Sequence, residues 1–180
     1  GITVFNYNSF NSSISTQNLA DDIALTIRKA QGYAIGVRGL GVNKFDYGYG
    51  IHFTTNNSNS SLKSGSSTSF ILFTDINDNK VYDYSEDIEC GTFENGDECV
   101  EVLNIKSADE IKEILVNSTL EDSVDILFKR PKPEPNFYIN GGIEPATSVD
   151  IKVSGPDLSS ATKFIKVSNT GQISVSSKKQ

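Results

Sequence analysis

Oxygen-bearing side chains recur between Asp75 and Glu86 at a spacing that suits a bound divalent cation. Counting Asp75 as position 1, they fall at positions 1, 3, 5, 9 and 12. Twelve-residue calcium loops use this spacing to wrap oxygen ligands around one hard cation. The sequence therefore predicts a Ca²⁺ site whose ligands are Asp75, Asn77, Asn79, Val81 through its backbone carbonyl, Asp83 and Glu86.

Two features separate this segment from an EF-hand. Lys80 occupies the sixth position, where glycine normally permits a sharp turn, and the flanking residues have the composition of strands rather than helices. The alternative is an acidic β-turn in which Asp and Asn side chains bond their own backbone. If Ca²⁺ binds, its expected role is to hold the loop rigid.

The two cysteines, Cys90 and Cys99, lie close together in the sequence. An even pair in a chain with the polar composition of exported proteins favours a disulfide that closes a hairpin. A four-residue hairpin loop, Phe93 to Gly96, would place the two cysteines directly opposite each other. Such a bridge would contribute roughly 2–3 kcal/mol. The alternative is a pair of reduced thiols that merely pack together.

His52 is the only histidine, so any Ser-His-Asp or Cys-His site would have to use it. Its strand-like surroundings do not suggest such a role, and a catalytic zinc site would lack further His or Cys ligands. We therefore predict no catalytic residues and no enzymatic activity.

Composition narrows the class of protein further. The chain has 180 residues, enough for the core of one domain, and a formal net charge of -7, which repels phosphate backbones. Nucleic acid is therefore not an expected partner.

The chain has no methionine and begins with Gly1, so we expect that an upstream segment was removed. Residues Ile2 to Phe5 would then be the end of an apolar segment.

The elements that must position these residues are one helix and a series of strands. Leu19, Ile23 and Ile27 form an apolar stripe that predicts an amphipathic helix over residues 15–37. β-branched and aromatic stretches from about residue 45 onward predict antiparallel sheet. The predicted strands are Tyr47 to Thr54, Ser69 to Thr74, Ile88 to Phe93, Val100 to Ile105, Val124 to Lys129, Ser148 to Val153, Lys163 to Val167 and Gln172 to Val175.

Three connecting segments have their own signals. The Ser- and Asn-rich stretch from Thr55 to Thr68 is too polar for a core and predicts a mobile loop. Ser107 to Glu110 has the form of a capping box and predicts a short helix through about Leu115. The prolines at 131, 133 and 135 predict an extended crossover or a sheet edge.

Several blocks of the chain resemble, in family order, the minor pilins and pseudopilins of the GspH/FimT type. The resemblance begins with the helix from Asn18 to Arg38 and ends with Thr170 to Val175, which looks like the closing strand of such heads. The blocks between them are Phe45 to Phe53, Ser69 to Asp75 with the acidic loop that follows, and Asp125 to Pro131. The cleavage site and the membrane helix that define the family are not part of this sequence.

The resemblance implies a structural subunit of a type IV pilus or of a type II secretion-like filament at the cell surface. Its partners would be other pilin or pseudopilin subunits, and it would meet the membrane only through an N-terminal helix outside this chain. Related heads often hold Ca²⁺ in an acidic loop. The predicted fold class is α+β: a single pilin-like domain, residues 1–180, with residues 1–14 as a remnant of the linker or membrane helix, the helix at 15–37, and a β-rich head at 45–176.

Two other functions fit parts of the sequence. A calcium-stabilised extracellular β-domain adhesin could bind a surface ligand through the Asn- and Ser-rich loop, although such a domain has no need to begin with an Ala-rich helix. An exported hydrolase would need paired acid and base residues in a pocket, and the carboxylates here suit a cation or solvent better.

Overall fold

The computed structural model describes residues 2–36, 47–58, 61–132, 134–139, 142–157 and 160–177, with the backbone alone for residues 2–10. The predicted helix end at 37, the predicted head start at 45 and Pro133 lie outside the described residues. In chain order the elements are α1 (Ile2–Ile35), β1 (Gly48–Thr54), a 3-10 helix (Leu62–Ser64), β2 (Ser69–Asp75), β3 (Cys99–Asn104), β4 (Glu110–Val116), β5 (Thr119–Glu121), β6 (Ser123–Phe128), β7 (Pro135–Ile139), β8 (Gly142–Glu144), β9 (Ser148–Ser154), β10 (Thr162–Ser168) and β11 (Ile173–Ser176).

The strands form two antiparallel sheets. Sheet A has the order β3-β2-β1-β6-β7-β8, and sheet B has the order β11-β10-β9-β4-β5. Most neighbouring strands are also close in the sequence, as expected for antiparallel sheets built from hairpins. No helix in the described part of the chain has the length and apolarity needed to cross a bilayer.

The main core lies where α1 meets both sheets. Leu19, Ile23 and Ile27 are buried, which confirms the predicted apolar stripe of the helix. They pack with inward-facing side chains of β1 and of β9, among them Ile51 and Ile151. Because the helix contacts strands of both sheets, its burial contributes to the core of the whole domain.

Sheet A is buried on its other face as well. Ile71 and Phe73 of β2 point away from the main core and pack with Leu127 of β6 and Tyr82 in a second, smaller core. A Cβ atom on Gly50 would lie 2.7 Å from the ring of Phe73, so β1 needs a glycine there. Burial on both faces explains why β2 has no exposed residue.

A buried carboxylate fixes α1 to the connection before β4. Asp109 accepts hydrogen bonds from Ser15 Oγ at 2.5 Å and from Thr16 Oγ1 at 2.7 Å. Burial raises the pKa of Asp109, but these two hydroxyl donors and Ser107 outweigh it, and the net pKa is lowered. The helix is therefore held at the point where its packed portion begins.

The predicted fold class, an α+β pilin-like head, is wrong. One helix and two large antiparallel sheets make this a mostly-β protein, whereas a pilin fold is dominated by its helix and has a small sheet. The difference arises because four strands form where none was predicted. β4 and β7 lie where the sequence predicted a helix and a crossover or sheet edge, and β5 and β8 lie where it predicted no element.

Seven predicted strands are confirmed to within about two residues: β1, β2, β3, β6, β9, β10 and β11. The predicted strand from Ile88 to Phe93 is instead a series of turns. The predicted helix from Ser107 to Leu115 is wrong because β4 occupies most of it. A bulge between Ile111 and Glu113 lets Ile111 and Ile114 both face the core, and this three-residue spacing imitates a helix.

Candidate functional site

The predicted calcium loop belongs to a longer excursion that connects β2 to β3. The acidic excursion, residues 76–98, contains no strand and covers the outer face of sheet A with Tyr82. Because β2 and β3 are antiparallel neighbours, the chain returns at Glu98 to the place it left at Asp75, and Thr74 N donates to Glu98 O at 3.0 Å. The two ends of the excursion are therefore side by side.

Asp75, the first predicted ligand, is a buried carboxylate with few neighbouring groups that offset its negative charge. It is 1% exposed, and neither oxygen accepts a hydrogen bond with normal geometry. Lys80 Nζ lies 3.8 Å from Asp75 Oδ2. Burial raises the pKa of Asp75 above its ordinary value, against the opposing effect of Lys80. A buried carboxylate with so little hydrogen bonding is unusual, and a bound cation is one partner that would satisfy its oxygens.

Three other predicted ligands form a second group. Asn77 Nδ2 and Asn79 Nδ2 donate to Asp83 Oδ2 at 2.9 and 2.7 Å. The amide oxygens accept backbone hydrogen bonds within the loop, Asn77 Oδ1 from Asn79 and Asn79 Oδ1 from Val81. For both amides to bind a metal, they would have to rotate so that their oxygens face the ion.

Lys80 takes the backbone conformation that a calcium loop normally gives to glycine. Its φ is 72°, in the left-handed region, and Asp78 has a φ of 61°. The Lys80 side chain pairs with Asp78, which also pairs with Lys129. Hydrogen bonds from Lys129 and Lys80 lower the pKa of Asp78 to about 2. The sharp turn thus forms without glycine, and the ammonium group of Lys80 places a positive charge in the loop.

Glu98, not the predicted Glu86, is the glutamate that organises the loop. Glu98 is fully buried, and it accepts hydrogen bonds from Ile76 N at 2.8 Å and Asp83 N at 3.1 Å. Glu86 is exposed, and none of the hydrogen bonds described within the loop involves its side chain. The twelve-residue spacing selects Glu86 because it counts positions along the chain. It takes no account of the antiparallel return, which brings Glu98 beside Asp75.

The pH dependence of stability should reflect Glu98. Burial raises its pKa to about 7, against three backbone hydrogen bonds that favour the charged form. An unfolded glutamate titrates near 4.5, so the folded state binds this proton more tightly. Its stabilising contribution is present below pH 4.5 and is lost as the pH rises toward 7.

We therefore expect the free energy of unfolding, measured by urea titration in a chelator, to be larger at pH 5 than at pH 7.5. The Glu98→Gln variant does not ionise and should show a smaller difference between the two pH values, although it is less stable overall because one acceptor is lost. A wild-type protein that is less stable at pH 5 than at pH 7.5 would contradict this prediction.

Asp97 and Lys63 form a buried ion pair that the sequence did not reveal. Lys63 belongs to the 3-10 helix, inside the stretch predicted to be a mobile loop, yet it is only 7% exposed. Its ammonium donates to Asp97 Oδ2, to Ser85 O at 2.9 Å and to Ile88 O at 2.5 Å. This lysine therefore ties the Ser-rich segment to the acidic excursion.

The structure contains the predicted bridge between Cys90 and Cys99, with the two Cα atoms 4.8 Å apart. The surrounding backbone is not the predicted hairpin, because Gly91 N donates to Cys99 O at 2.8 Å and the turn closes between Glu94 O and Asp97 N at 2.9 Å. The bridge fastens the last part of the excursion to the first residue of β3.

His52 lies against a carboxylate beneath the excursion. Its Nδ1 lies 2.7 Å from Asp125 Oδ1 on the neighbouring strand β6, and its ring packs 5.3 Å from that of Tyr82. The described partners of His52 thus belong to the contact between sheet A and the excursion. No catalytic role follows from this arrangement.

Among the residues that the structure describes, no group of three or more His, Cys, Asp or Glu side chains is arranged to hold a metal ion. A calcium site here would have to combine the carboxylates of Asp75, Asp83 and Glu98 with amide oxygens. Asp75, whose described charge partner is Lys80 alone, fits such a site, whereas the Asn77 and Asn79 amides, which donate to Asp83, require rearrangement.

The fold and this site together define a class: a disulfide-bonded, mostly-β domain with one long helix in its core and an acidic excursion over one sheet. Comparison of the chain with models of protein families, with curated proteins and with solved structures finds no match.

Proposed function

We propose that this chain is the head of a structural subunit in a cell-surface filament of the type IV pilus or type II secretion class. The observation that carries this proposal is the asymmetry of α1. The helix runs over Ile2–Ile35, but the first buried side chain described along it is Thr16, and Asn11, Ser13 and Ile14 are exposed. The backbone of the helix thus begins about 14 residues, or roughly 21 Å, ahead of the first buried side chain described along it.

Such a helix suits a subunit that binds its neighbours through one part and displays a rigid head with the other. Two further features are consistent with this role. A disulfide persists in the oxidising environment outside the cytoplasm. The acidic net charge of -7 keeps the head soluble and does not favour phosphate-rich partners. The partners we propose are other subunits of the same filament.

The proposal is tested on cells that express the complete gene. Filaments sheared from the cell surface are labelled with an antibody against this head and viewed by electron microscopy. We expect label along the filaments, and none on filaments from a strain that lacks the gene. Recovery of the protein only as a freely secreted monomer, with unlabelled filaments, would contradict the proposal.

A second candidate, an extracellular β-domain adhesin, is favoured by one observation: two large sheets make up most of the molecule. An adhesin would bind a surface ligand without entering a filament. The same experiment separates the two functions, because an adhesin would be found on the cell or on its ligand and not along filaments.

We further propose that Ca²⁺ binds the acidic excursion and fastens it to sheet A. The support is the buried carboxylate of Asp75, which pairs only with Lys80 at 3.8 Å and lies beside the buried Glu98. A bound cation would compensate both charges, which otherwise face only Lys80 and backbone amides. Asp83, Asn77 and Asn79 would complete the oxygen set, with Glu98 in place of Glu86.

Calorimetric titration of chelator-treated protein with Ca²⁺ tests this site. We expect heat of binding and a raised melting temperature. The Lys80→Gly variant should bind about tenfold more tightly, because it loses a cation beside Asp75 and gains a residue suited to positive φ. Lys106→Gly, a loop lysine outside the excursion, is the matched control and should bind like wild type. Absence of heat together with an unchanged melting temperature would show that Ca²⁺ does not bind the acidic excursion.

A further inference from the structure

The pair formed by Lys63 and Asp97 is enclosed on both sides. Their side chains are 9% and 0% exposed. In the other described ion pairs that contain a lysine, the lysine side chain is at least 27% exposed. An amine and a carboxyl group in contact are the two reactants of an amide bond. Exclusion of water from their site favours such a bond, because water is the reagent that hydrolyses it.

The nitrogen of Lys63 is held in a defined orientation. Its ammonium group donates to Ser85 O at 2.9 Å, to Ile88 O at 2.5 Å and to Asp97 Oδ2. An ammonium group has three donors, so each hydrogen has one of these acceptors. Transfer of the hydrogen that faces Asp97 would leave the lone pair of the amine directed at the carboxyl group. The two carbonyls therefore position the lysine amine as a nucleophile.

The carboxyl group of Asp97 is held by two backbone amides. Ser85 N donates to Oδ2 at 2.8 Å, and Cys99 N donates to Oδ1 at 3.0 Å. Fixed amide donors stabilise the negative charge that develops on a carbonyl oxygen when a nucleophile adds to its carbon. The Cys99 amide is placed to do this for Oδ1. Both reactants are thus positioned by hydrogen bonds that the folded chain already makes.

We propose that Lys63 and Asp97 join through an amide bond between their side chains. One ammonium proton passes to Asp97 Oδ2, and Nζ attacks Cγ while the carbonyl π electrons move to Oδ1. A second proton then passes from Nζ to Oδ2, and the Cγ–Oδ2 bond breaks. This oxygen leaves as water with the electron pair of that bond, and the carbonyl forms again at Oδ1. One ammonium and one carboxylate give one amide and one water, so no further reactant is needed.

The amide bond closes a larger loop of chain than the disulfide does. Lys63 precedes β2 and Asp97 precedes β3, and the two residues are 34 positions apart, whereas Cys90 and Cys99 are 9 apart. β2 and most of the acidic excursion then lie inside one covalent ring that reduction does not open. Closing a longer loop removes more freedom from the unfolded chain. The bond requires neither the proposed filament nor bound calcium.

The intact mass of the purified full chain, unfolded in denaturant with a reductant and a chelator, tests the bond. We expect a wild-type mass lower than that of the sequence by one water, about 18 Da. Lys63→Arg keeps a cation but offers no amine nucleophile, so this variant should have the full mass of its sequence. Lys152→Arg, in the more exposed pair with Glu113, is the matched control and should show the same loss of water as the wild type.

Fragmentation of a tryptic digest locates the bond. We expect one branched peptide that joins residues 63 and 97. Asp97→Asn should give the same branched peptide with loss of ammonia, about 17 Da, in place of water. A wild-type chain with the full mass of its sequence would overturn the proposal, and this result does not depend on how any variant folds. A loss of water that persists in Lys63→Arg, or that maps to other residues, would overturn it as well.

Discussion

Replacement of Asp97 by alanine is expected to destabilise the protein by about 3–5 kcal/mol. The carboxylate is completely buried, and it holds the ammonium of Lys63 together with two backbone amides, Ser85 N at 2.8 Å and Cys99 N at 3.0 Å. Its removal leaves a buried cation without its counter-ion and two amides without an acceptor. An uncompensated buried charge costs far more than the intact pair contributes.

The experiment is a double-mutant cycle measured by denaturant unfolding. Lys63→Met removes the cation and leaves the two amide bonds of Asp97 in place, so it should cost less than Asp97→Ala. The combined variant should cost less than the sum of the two, because neither charge then remains unpaired. A loss below about 1 kcal/mol for Asp97→Ala would show that the pair is not buried as described.

The second large effect is expected at the helix. Ile27→Ala should lower the free energy of unfolding by about 2–5 kcal/mol, because Ile27 is fully buried between α1 and the sheets and its loss leaves a cavity. Leu25→Ala is the matched control two residues away. Its side chain is 65% exposed, so the cost should stay within about 0.5 kcal/mol.

This comparison decides whether the packed portion of α1 belongs to the core of the head or is a separable stalk. Unfolding is measured at low protein concentration, so that contacts between copies do not contribute. Equal effects of the two substitutions would contradict the burial of this helix, as would an unfolding transition in which the helix melts separately from the sheets.

Much of the fold could be predicted because burial leaves periodic patterns in the sequence. Leu19, Ile23 and Ile27 recur at helical spacing, and the helix does bury them. The β-branched and aromatic runs of β1, β2 and β9 predicted strands for the same reason. The failure at β4 has a specific cause: the capping-box pattern of Ser107 to Glu110 depends on local residues, whereas β4 forms by pairing with β9, which is distant in the sequence.

The site was only partly predictable. The spacing of Asp75, Asn77, Asn79 and Asp83 signalled a loop rich in oxygen ligands, and Asn77 and Asn79 do lie against Asp83. No comparable sequence pattern marked Glu98 or Lys63 as part of the site. Each reaches the segment from Asp75 to Glu86 from outside it, and each is recognised only by the burial of a charged group.

The sequence by itself determined the local features of this protein: the apolar stripe of the helix, most strands, the single pair of cysteines and the acidic turn that begins at Asp75. These depend on neighbours along the chain. The tertiary structure alone decided the mostly-β balance, the return of Glu98 to Asp75 and the burial of Lys63 against Asp97. They depend on antiparallel pairing of β2 with β3 and on the packing of the excursion over sheet A, which bring together residues that no local spacing relates.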